Sequence, residues 1–394
     1  MNTNKNNLHN NHMVFLINSM GEGGAQQVLL SLVEEYLLFG IEVTVISLSK
    51  NNVYELPSNI RTVYLHEDYD QSSKLYKILL IPYSAWKLKK YVKENNLKSV
   101  QSHLFRANFV NLLSKIFKSP HLVQVVNHSV MSRFMYEGIS GKINAFFIKF
   151  LYPKADKVFY ISKRMKTDFL SYLKVLEVES NIIYNPYNLD SIVEKSKMES
   201  DKFTFNREKR YIITVGRLIS LKRFEDVLQV LSKLDENIEL ILLGDGEEKQ
   251  VLIKLANRLN LTSRVHFLGQ VKNPFLYIAR SDVFVSSSSV EGFPNVLVES
   301  MVCGTAIVSS DCISGPREIL APSSDHNYQL KKGIEMAEFG ILYGIGDIDA
   351  LQEAIELLLK DNRLKKEYEA KAFEQSKEFS IKKIAQIYKE AYFK

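Results

Sequence analysis

Val283-Phe284-Val285-Ser286, then Val290-Glu291-Gly292-Phe293-Pro294-Asn295-Val296-Leu297-Val298-Glu299-Ser300-Met301, then Ala306-Ile307-Val308-Ser309 is the stretch whose reading decides the fold. A β-branched run, a tight loop, a helical segment and a second β-rich run in that order form a βαβ unit, which implies a parallel sheet. Pro294 fits the first helical turn, where its missing N–H costs nothing. The amides around it carry the positive end of a helix dipole and suit a phosphate. Glu291 before the loop and Glu299 about a turn inside the helix cannot bind that phosphate. They can accept hydrogen bonds from hydroxyls. A diphosphate between two hydroxyl-rich groups describes a nucleotide sugar.

The same rhythm extends both ways along the chain. Upstream, Met13–Ser19, Ile41–Leu48, Ile60–Leu65, Ser99–His103, Leu122–Asn127, Lys157–Ile161 and Asn181–Asn185 read as strands. Helical patterns such as Ala25–Phe39 and Lys87–Asn95 separate them. A polar, charged linker from about Glu194 to Lys209 interrupts the pattern. It restarts with Tyr211–Val215, Ile238–Leu243, Arg264–Phe267, Val283–Ser286, Ala306–Ser309 and Gly340–Tyr343. The expectation is α/β: two doubly wound, Rossmann-like domains facing a central cleft, with ligands at the carboxyl ends of the strands. A length of 394 residues, about twice a usual domain, agrees.

Three further motifs sit at strand ends. Gly21-Glu22-Gly23-Gly24-Ala25-Gln26 follows the first strand and opens the first helix, so Gly23 and Gly24 can bring backbone amides close to an anion. It is neither the dinucleotide fingerprint nor a Walker loop. Gly216-Arg217-Leu218-Ile219-Ser220-Leu221-Lys222-Arg223 follows the first strand of the second half, before a helix starting near Phe224. A guanidinium fork at Arg217 and an ammonium at Lys222 can neutralise a diphosphate without a metal. His128 ends the strand Leu122–Asn127, and His103 ends Ser99–His103; for both, a purely structural histidine remains an open reading. Gly244-Asp245-Gly246 reads as a tight turn.

Taken together these motifs resemble retaining glycosyltransferases of GT-B fold, family 4. The resemblance rests on Glu291 and Glu299 with Gly292-Phe293-Pro294 between them, on Cys303-Gly304-Thr305-Ala306-Ile307-Val308-Ser309-Ser310, on the Gly-Gly-Ala loop, and on the Gly-Arg…Lys run. Asp311-Cys312-Ile313-Ser314-Gly315-Pro316-Arg317-Glu318 resembles a form frequent in bacterial enzymes that build surface polysaccharides, including lipopolysaccharide, and lipid-linked oligosaccharides. The resemblance covers residues 13 to 394 and is looser in the first half.

It implies the following roles. Arg217 and Lys222 hold the donor diphosphate, assisted by the amides near Gly24 and those of the turn Phe293–Asn295 around Pro294. Glu299 takes the ribose hydroxyls, Glu291 the donor-sugar hydroxyls, and His128 the sugar or reaction centre. Val271, after Gly269-Gln270, lies where the nucleobase meets backbone, and His103 is a candidate acceptor contact. Gly315-Pro316 is a candidate neighbour of the sugar, and Arg317 and Glu318 a candidate ion pair. The expected donor is a UDP-linked hexose or N-acetylhexosamine. The expected acceptor is a hydroxyl of a glycan, lipid-linked through a polyprenyl diphosphate. Retention of configuration comes from the resemblance alone; same-face attack is favoured because no carboxylate is an obvious nucleophile. No metal or other cofactor is expected. A GT-B enzyme of another reaction type, such as a nucleotide-sugar epimerase, and a non-catalytic nucleotide-sugar-binding protein stay as alternatives. Product analysis with donor alone separates the epimerase.

The resemblance divides the chain into a tail over 1–12, an acceptor-binding domain over 13–195 and a donor-binding domain over 209–378. A terminal helix over 379–394 is expected to pack back on the first domain. Met1 to Asn11 is Asn-rich, polar and expected to be disordered, without the apolar core of a signal peptide.

A hydrophobic fraction of 46% and a charged fraction of 24% are those of an ordinary globular protein. Two cysteines, Cys303 and Cys312, imply no disulfide framework and fit a reducing cytoplasm. The net charge of +6 is unevenly spread: residues 71–174 carry 19 Lys/Arg against 4 Asp/Glu, which leaves the remainder net acidic. Aromatic and aliphatic residues alternate with these lysines over Ile81–Tyr91 and Phe146–Tyr152. Such a surface suits an anionic membrane, at about 1 kcal/mol per well-placed basic side chain. The reading is a cytoplasmic protein held peripherally on the inner face of the membrane, and no nucleic-acid motif accompanies the charge.

Overall fold

The structure is a computed structural model that describes residues 11–21, 23–50, 53–67, 74–136, 138–173, 178–199 and 202–394. Residues 1–10 of the expected tail and Glu22 of the glycine loop lie outside them, as do 71–73, 137 and 174 of the basic region and 200–201 of the expected linker.

Contacts divide the chain into two units. The first unit carries β1 (His12–Ile17), α1 (Gly24–Leu38), β2 (Glu42–Ser47), β3 (Arg61–Tyr64), α2 (Lys74–Leu79), α3 (Ile81–Glu94), β4 (Ser99–His103), α4 (Phe105–Ile116), β5 (Leu122–Asn127), α5 (Gly138–Leu151), β6 (Lys157–Tyr160), α6 (Lys163–Leu173) and β7 (Glu179–Ile182). Its strands form one parallel sheet in the order β3-β2-β1-β4-β5-β6-β7. The strands are apolar on both sides because helices cover both faces; Met13, Leu16, Val45, Val100, Val125 and Phe159 are fully buried. The winding reverses between β1 and β4, so the loops after these two strands flank a crevice at the carboxyl edge.

The helix Ile381–Phe393 also belongs to this unit, and its attachment has a specific cause. Its last carbonyls have no intrahelical donors, and strand residues supply them. Gln124 Nε2 donates to Tyr392 O (2.8 Å) and Lys157 Nζ to Ala391 O (3.2 Å). The Tyr392 hydroxyl accepts from the Val14 N–H (2.9 Å) and donates to Ser99 O (3.1 Å).

The second unit, Asn188–Ser380, carries α7 (Leu189–Ser196), β8 (Arg210–Val215), α8 (Phe224–Leu231), β9 (Ile238–Leu243), α9 (Lys249–Arg258), β10 (Val265–Gly269), α10 (Phe275–Ile278), β11 (Val283–Ser286), α11 (Asn295–Val302), β12 (Ala306–Ser310), α12 (Pro316–Leu320), β13 (Ile334–Met336), β14 (Ile341–Tyr343), α13 (Ile348–Lys360) and α14 (Asn362–Ser376). The strand order is β10-β9-β8-β11-β12-β14-β13, parallel except for β13 against β14. The winding reverses between β8 and β11.

Sequence and structure differ at identifiable places. Residues 189–195, expected in the first domain, form α7 and join the second unit. They are held there by Asn273 Nδ2 donating to Lys195 O (2.8 Å) and by Arg280 donating to Ser196 O (3.2 Å) and Met198 O (2.8 Å). The helix expected over Lys87–Asn95 starts at Ile81, since Pro82 is tolerated in a first turn and the aromatic run continues it. The strand expected over Asn181–Asn185 is displaced to β7. Strand β13, three residues long, is too short to show a period. Pro294 precedes α11 as its cap rather than opening it: its ψ of 95° is extended, while its carbonyl already accepts the Leu297 N–H (3.0 Å).

Two glycines are demanded by close backbone approach. A Cβ on Gly244 (φ +135°) would lie 1.9 Å from Gly216 O, and one on Gly246 would lie 2.4 Å from Leu218 O. The loops after β8 and β9 are thus pressed together, with Leu218 N–H donating to Asp245 O (2.9 Å) and Glu248 N–H to Leu218 O (2.9 Å). Gly244→Ala should destabilise by at least about 1–3 kcal/mol, the cost of overpacking. Gly333→Ala, at φ +76° with nothing near its Cβ, should cost about 1–2 kcal/mol of backbone strain alone. Thermal melting of the two variants ranks them; equal melting temperatures would contradict the packing argument.

Candidate active site

The reversal of winding in the second unit brings the loop after β8 beside the loop after β11. Gly216 to Lys222 leave β8, and Arg223 takes a left-handed conformation (φ 49°, ψ 41°) that starts α8. Its guanidinium locks the turn by donating to both oxygens of Asp226 (2.8 and 3.0 Å). A serine run after β11 fastens the neighbouring loop. Ser287 Oγ donates to Lys222 O (2.7 Å), and Ser289 donates through N–H (2.8 Å) and Oγ (3.1 Å) to Leu221 O.

These bonds set Lys222 against Glu291. Lys222 Nζ lies 2.5 Å from Glu291 Oε1, and Ser288 Oγ donates to the same oxygen at 2.6 Å. Both charged side chains are mostly buried, so the pair is little screened by solvent. Arg217, two residues after the end of β8, is exposed, and no described residue bonds its guanidinium. The site therefore presents one paired cation and one open cation.

A third loop forms the wall behind Glu291. Val290 and Ile313 make a parallel bridge, Glu291 N–H donates to Ile313 O (3.3 Å), and Ser314 Oγ donates to Gly292 O (2.5 Å). A Cβ on Gly315 would sit 2.2 Å from Pro294 Cδ, so Gly315 packs against the Phe293-Pro294 turn. The Phe293 ring is buried and lies edge-on to Phe379 at 5.7 Å. Of the expected donor-loop residues, Phe293 and Pro294 therefore have only backbone to offer a ligand. Arg317 does not pair with Glu318. It forks onto Asp311 (2.6 Å) and Glu335 (2.7 Å) and covers Tyr328, because Asp311 at the end of β12 is buried and needs a charged donor.

Glu299 is the fifth residue of α11, and no described residue donates to its carboxyl. Desolvation raises that carboxyl to about 7. One turn on, burial together with Glu299 pushes the Cys303 thiol well up, so this cysteine is not a nucleophile. Val271 follows β10, the edge strand. Gly244 N–H donates to Gly269 O (2.8 Å), which continues the chain of backbone bonds that joins the loops after β8 and β9. The carboxyl rim thus runs unbroken from Lys222 towards Val271.

In the first unit, Gly23 caps α1 and Gly24 opens it, both exposed. His103 and His128 end adjacent strands, and His103 Nδ1 lies 3.0 Å from His128 Nε2. The His103 ring is wholly buried and lies edge-on to Phe15 at 5.8 Å, so it reaches no acceptor directly. His128 is half-buried, and desolvation lowers it to about 4.

The serine run Ser286–Ser289 escaped the sequence reading. Its signal was visible: four consecutive small hydroxyls between a strand and the Glu291 loop, able to satisfy backbone carbonyls that a tight turn leaves open. Among the described residues no group of three or more His, Cys, Asp or Glu gathers as metal ligands.

Comparison with known proteins places this arrangement. The family model "Glycosyl transferases group 1" matches residues 195–375, and "Glycosyltransferase Family 4" matches residues 22–191. An N-acetylgalactosamine-N,N'-diacetylbacillosaminyl-diphospho-undecaprenol 4-alpha-N-acetylgalactosaminyltransferase of Campylobacter jejuni is 30% identical over 374 residues, 94% of this chain and 96% of its own length. A second Campylobacter jejuni alpha-1,4-N-acetyl-D-galactosaminyltransferase, described as acting on a GalNAc-GalNAc-diNAcBac-PP-undecaprenol, is 25% identical over 94% of this chain and 95% of its own. Among solved structures, Anabaena HepE in complex with UDP superposes with a TM-score of 0.74 at 19% identity, covering 96% of this chain and 99% of that one. Sucrose-phosphate synthase from Thermosynechococcus elongatus reaches 0.78 at 19% identity, covering 97% and 98%.

Fold and matches together define a sugar-transferring enzyme with the two Rossmann-like sheets of the GT-B class. The chain belongs to glycosyltransferase family 4.

The Glu299 carboxyl yields a signed pH prediction. Its folded pKa of about 7 lies above the ordinary 4.5, so its contribution to stability is complete below 4.5 and is lost as pH rises through 7. Glu299→Gln should therefore gain stability relative to the parent between those values and hold the gain at pH 8. Denaturant midpoints at pH 4.5 and pH 8 check this; a midpoint difference independent of pH would show that Glu299 is not desolvated.

Proposed function

We propose that the protein is a retaining glycosyltransferase that moves a hexose or N-acetylhexosamine from a UDP-sugar to a hydroxyl of a polyprenyl-diphosphate-linked glycan, in bacterial surface polysaccharide or related glycan assembly. The observation that carries the donor half is the Lys222–Glu291 pair at the reversal point of the second sheet, with Arg217 open beside it. A diphosphate can take over the Lys222 ammonium and the Arg217 fork together. That transfer releases the Glu291 carboxylate for sugar hydroxyls, and Glu299, to which no described residue donates, is left for the ribose. Backbone N–H groups of Gly23, Gly24, Phe293 and Asn295 are assigned to the diphosphate, with Pro294, which has no N–H, shaping the turn between the last two, and Val271 at the far end of the rim meets the base. The relative structures complexed with UDP support a uridine nucleotide. The names of the two Campylobacter relatives support the lipid-linked acceptor.

In the reaction the bond from the anomeric carbon to the phosphate oxygen breaks, and a bond to the acceptor oxygen forms on the same face. The acceptor proton passes to the departing phosphate. Arg217 and Lys222 stabilise the charge that develops there, so electrostatic preorganisation is the main catalytic contribution. His128 is assigned to the donor sugar.

Docking at the cytoplasmic face of a membrane is part of the same proposal. No helix of the described residues is long and apolar enough to cross a membrane. Helix α5 nevertheless turns Ile143, Phe146 (65% exposed) and Phe150 (68% exposed) outward between Lys142 and Lys149, with Ile148 and Leu151 buried behind. Tyr76, Leu79, Tyr83 and Trp86 form a second exposed stripe along α2 and α3. Apolar side chains flanked by lysines suit an anionic interface.

Lys222→Ala should lower kcat by roughly 100-fold or more, as loss of a preorganised charge contact does. Transfer should survive EDTA. A panel of UDP-, GDP- and ADP-sugars with a polyprenyl-diphosphate glycan and product analysis decides it. Unchanged turnover in the variant would overturn the site, and sugar isomerisation without transfer would overturn the reaction.

Phe146→Ser/Phe150→Ser should weaken co-sedimentation with vesicles containing anionic lipid by at least about tenfold, since burying one phenylalanine is worth about 1.5–3 kcal/mol. Transfer to a short water-soluble acceptor should persist. Undiminished vesicle binding would remove α5 from the membrane face.

A further inference from the structure

Two histidines that end neighbouring strands share a hydrogen bond, and the geometry of the rest of their rings decides its direction. His103 Nδ1 and His128 Nε2 are 3.0 Å apart. The other nitrogen of His103, Nε2, is buried and has no partner among the described residues. The other nitrogen of His128, Nδ1, is bonded by no described residue, on a ring that is buried only in part. A charged ring is disfavoured, because burial lowers both residues below their ordinary value.

Two neutral arrangements remain. If His128 donates from Nε2, His103 must carry its own proton on Nε2, which leaves a buried N–H without an acceptor. If His103 donates from Nδ1, its Nε2 is a bare lone pair, and His128 carries its proton on Nδ1. A buried donor without a partner is rarer than an under-used acceptor, so the second arrangement is favoured. We propose that His103 is a positioning residue that fixes His128 in its Nδ1–H tautomer, so that His128 presents a neutral N–H donor to a substrate oxygen at the carboxyl end of β5. The role of His128 towards substrate rests on the reading under Proposed function; the tautomer does not.

The backbone supports a built device. Leu104, directly after His103, has φ 72° and ψ 147°, a conformation costly for a residue with a side chain. That strain is held where β4 turns into α4, with Asn18 Oδ1 accepting the Ala107 N–H (2.9 Å) beside it. Phe15 fixes the plane of the His103 ring from one side. On the neighbouring strand, Asn127 is held by the Tyr152 hydroxyl donating to its Oδ1 (2.7 Å), which steadies the backbone that carries His128. A neutral donor also fits sugar chemistry: it can mark a hydroxyl or carbonyl oxygen without competing for the proton that leaves the acceptor.

The test uses the full chain, labelled with nitrogen-15. Long-range proton–nitrogen spectra of the histidine rings, assigned through His103→Asn and His128→Gln, should show His128 protonated at Nδ1 without any ligand. Protonation at Nε2 overturns the proposal. In transfer assays His103→Leu, which cannot donate, should lower kcat roughly 10–100-fold, the usual loss on removing a group that orients a working histidine. Donor KM should change little. His103→Asn, whose carboxamide N–H can take the place of Nδ1–H, should restore most of the rate. Wild-type rates in His103→Leu, or a folded His103→Asn as impaired as His103→Leu, would also overturn it. If His103→Leu does not fold, the parent spectrum and His103→Asn decide. If the parent transfers no sugar at all, the functional reading fails and the spectrum alone judges the tautomer.

Discussion

The second unit is organised around one buried charge pair, Lys222 with Glu291, at the point where its sheet reverses direction. Neither residue would face the other without that reversal. Lys222 follows β8 and Glu291 follows β11, 69 positions later in the chain but on adjacent strands. Two charges partly removed from water must compensate each other, and the surrounding loops are arranged to make that compensation exact in distance. The serine run holds the Lys222 turn by its carbonyls, and the Ile313–Gly315 segment presses on the Glu291 turn from behind. A pair that is neutral when closed, and that yields a free cation beside Arg217 and a free anion when it opens, suits a ligand with phosphates at one end and hydroxyls at the other.

The first unit uses neutral groups where the second uses charge. Its strand-end side chains are an asparagine held by the Tyr152 hydroxyl and two histidines that share a hydrogen bond, both histidines kept from charging by burial. Its charge lies elsewhere, on lysine-rich helices whose outward aromatics are exposed. The separation is physically sensible. A diphosphate needs strong fields, whereas a saccharide with many hydroxyls needs oriented dipoles that do not bind too tightly.

Much of this was legible in the chain. Strand runs such as Leu122–Asn127, Ile238–Leu243 and Val283–Ser286 were readable to the residue, because buried parallel strands are apolar, β-branched-rich runs between turn residues. Arg217, Lys222, Glu291 and Glu299 could be singled out because they sit near strand ends and glycines, and the structure brings two of them, Lys222 and Glu291, together. Contacts made by side chains across the sheet were not readable. Nothing in the sequence pairs Arg317 with Asp311 and Glu335 instead of its neighbour Glu318, and nothing buries the Phe293 ring against Phe379.

The sequence by itself determined the two sheets, the family and the residue types at each strand end, since periodicity and local turn chemistry are properties of neighbours in the chain. Tertiary structure alone decided which of those residues meet. Strand order put Lys222 on Glu291 and His103 on His128, and burial then disfavoured charge on the two histidines, because desolvation depends on what lies across the fold. It decided as well that α7 belongs with the second sheet and that the aromatics of α5 face outward. A helix shows its apolar side chains in sequence, but only packing shows which of them are left uncovered.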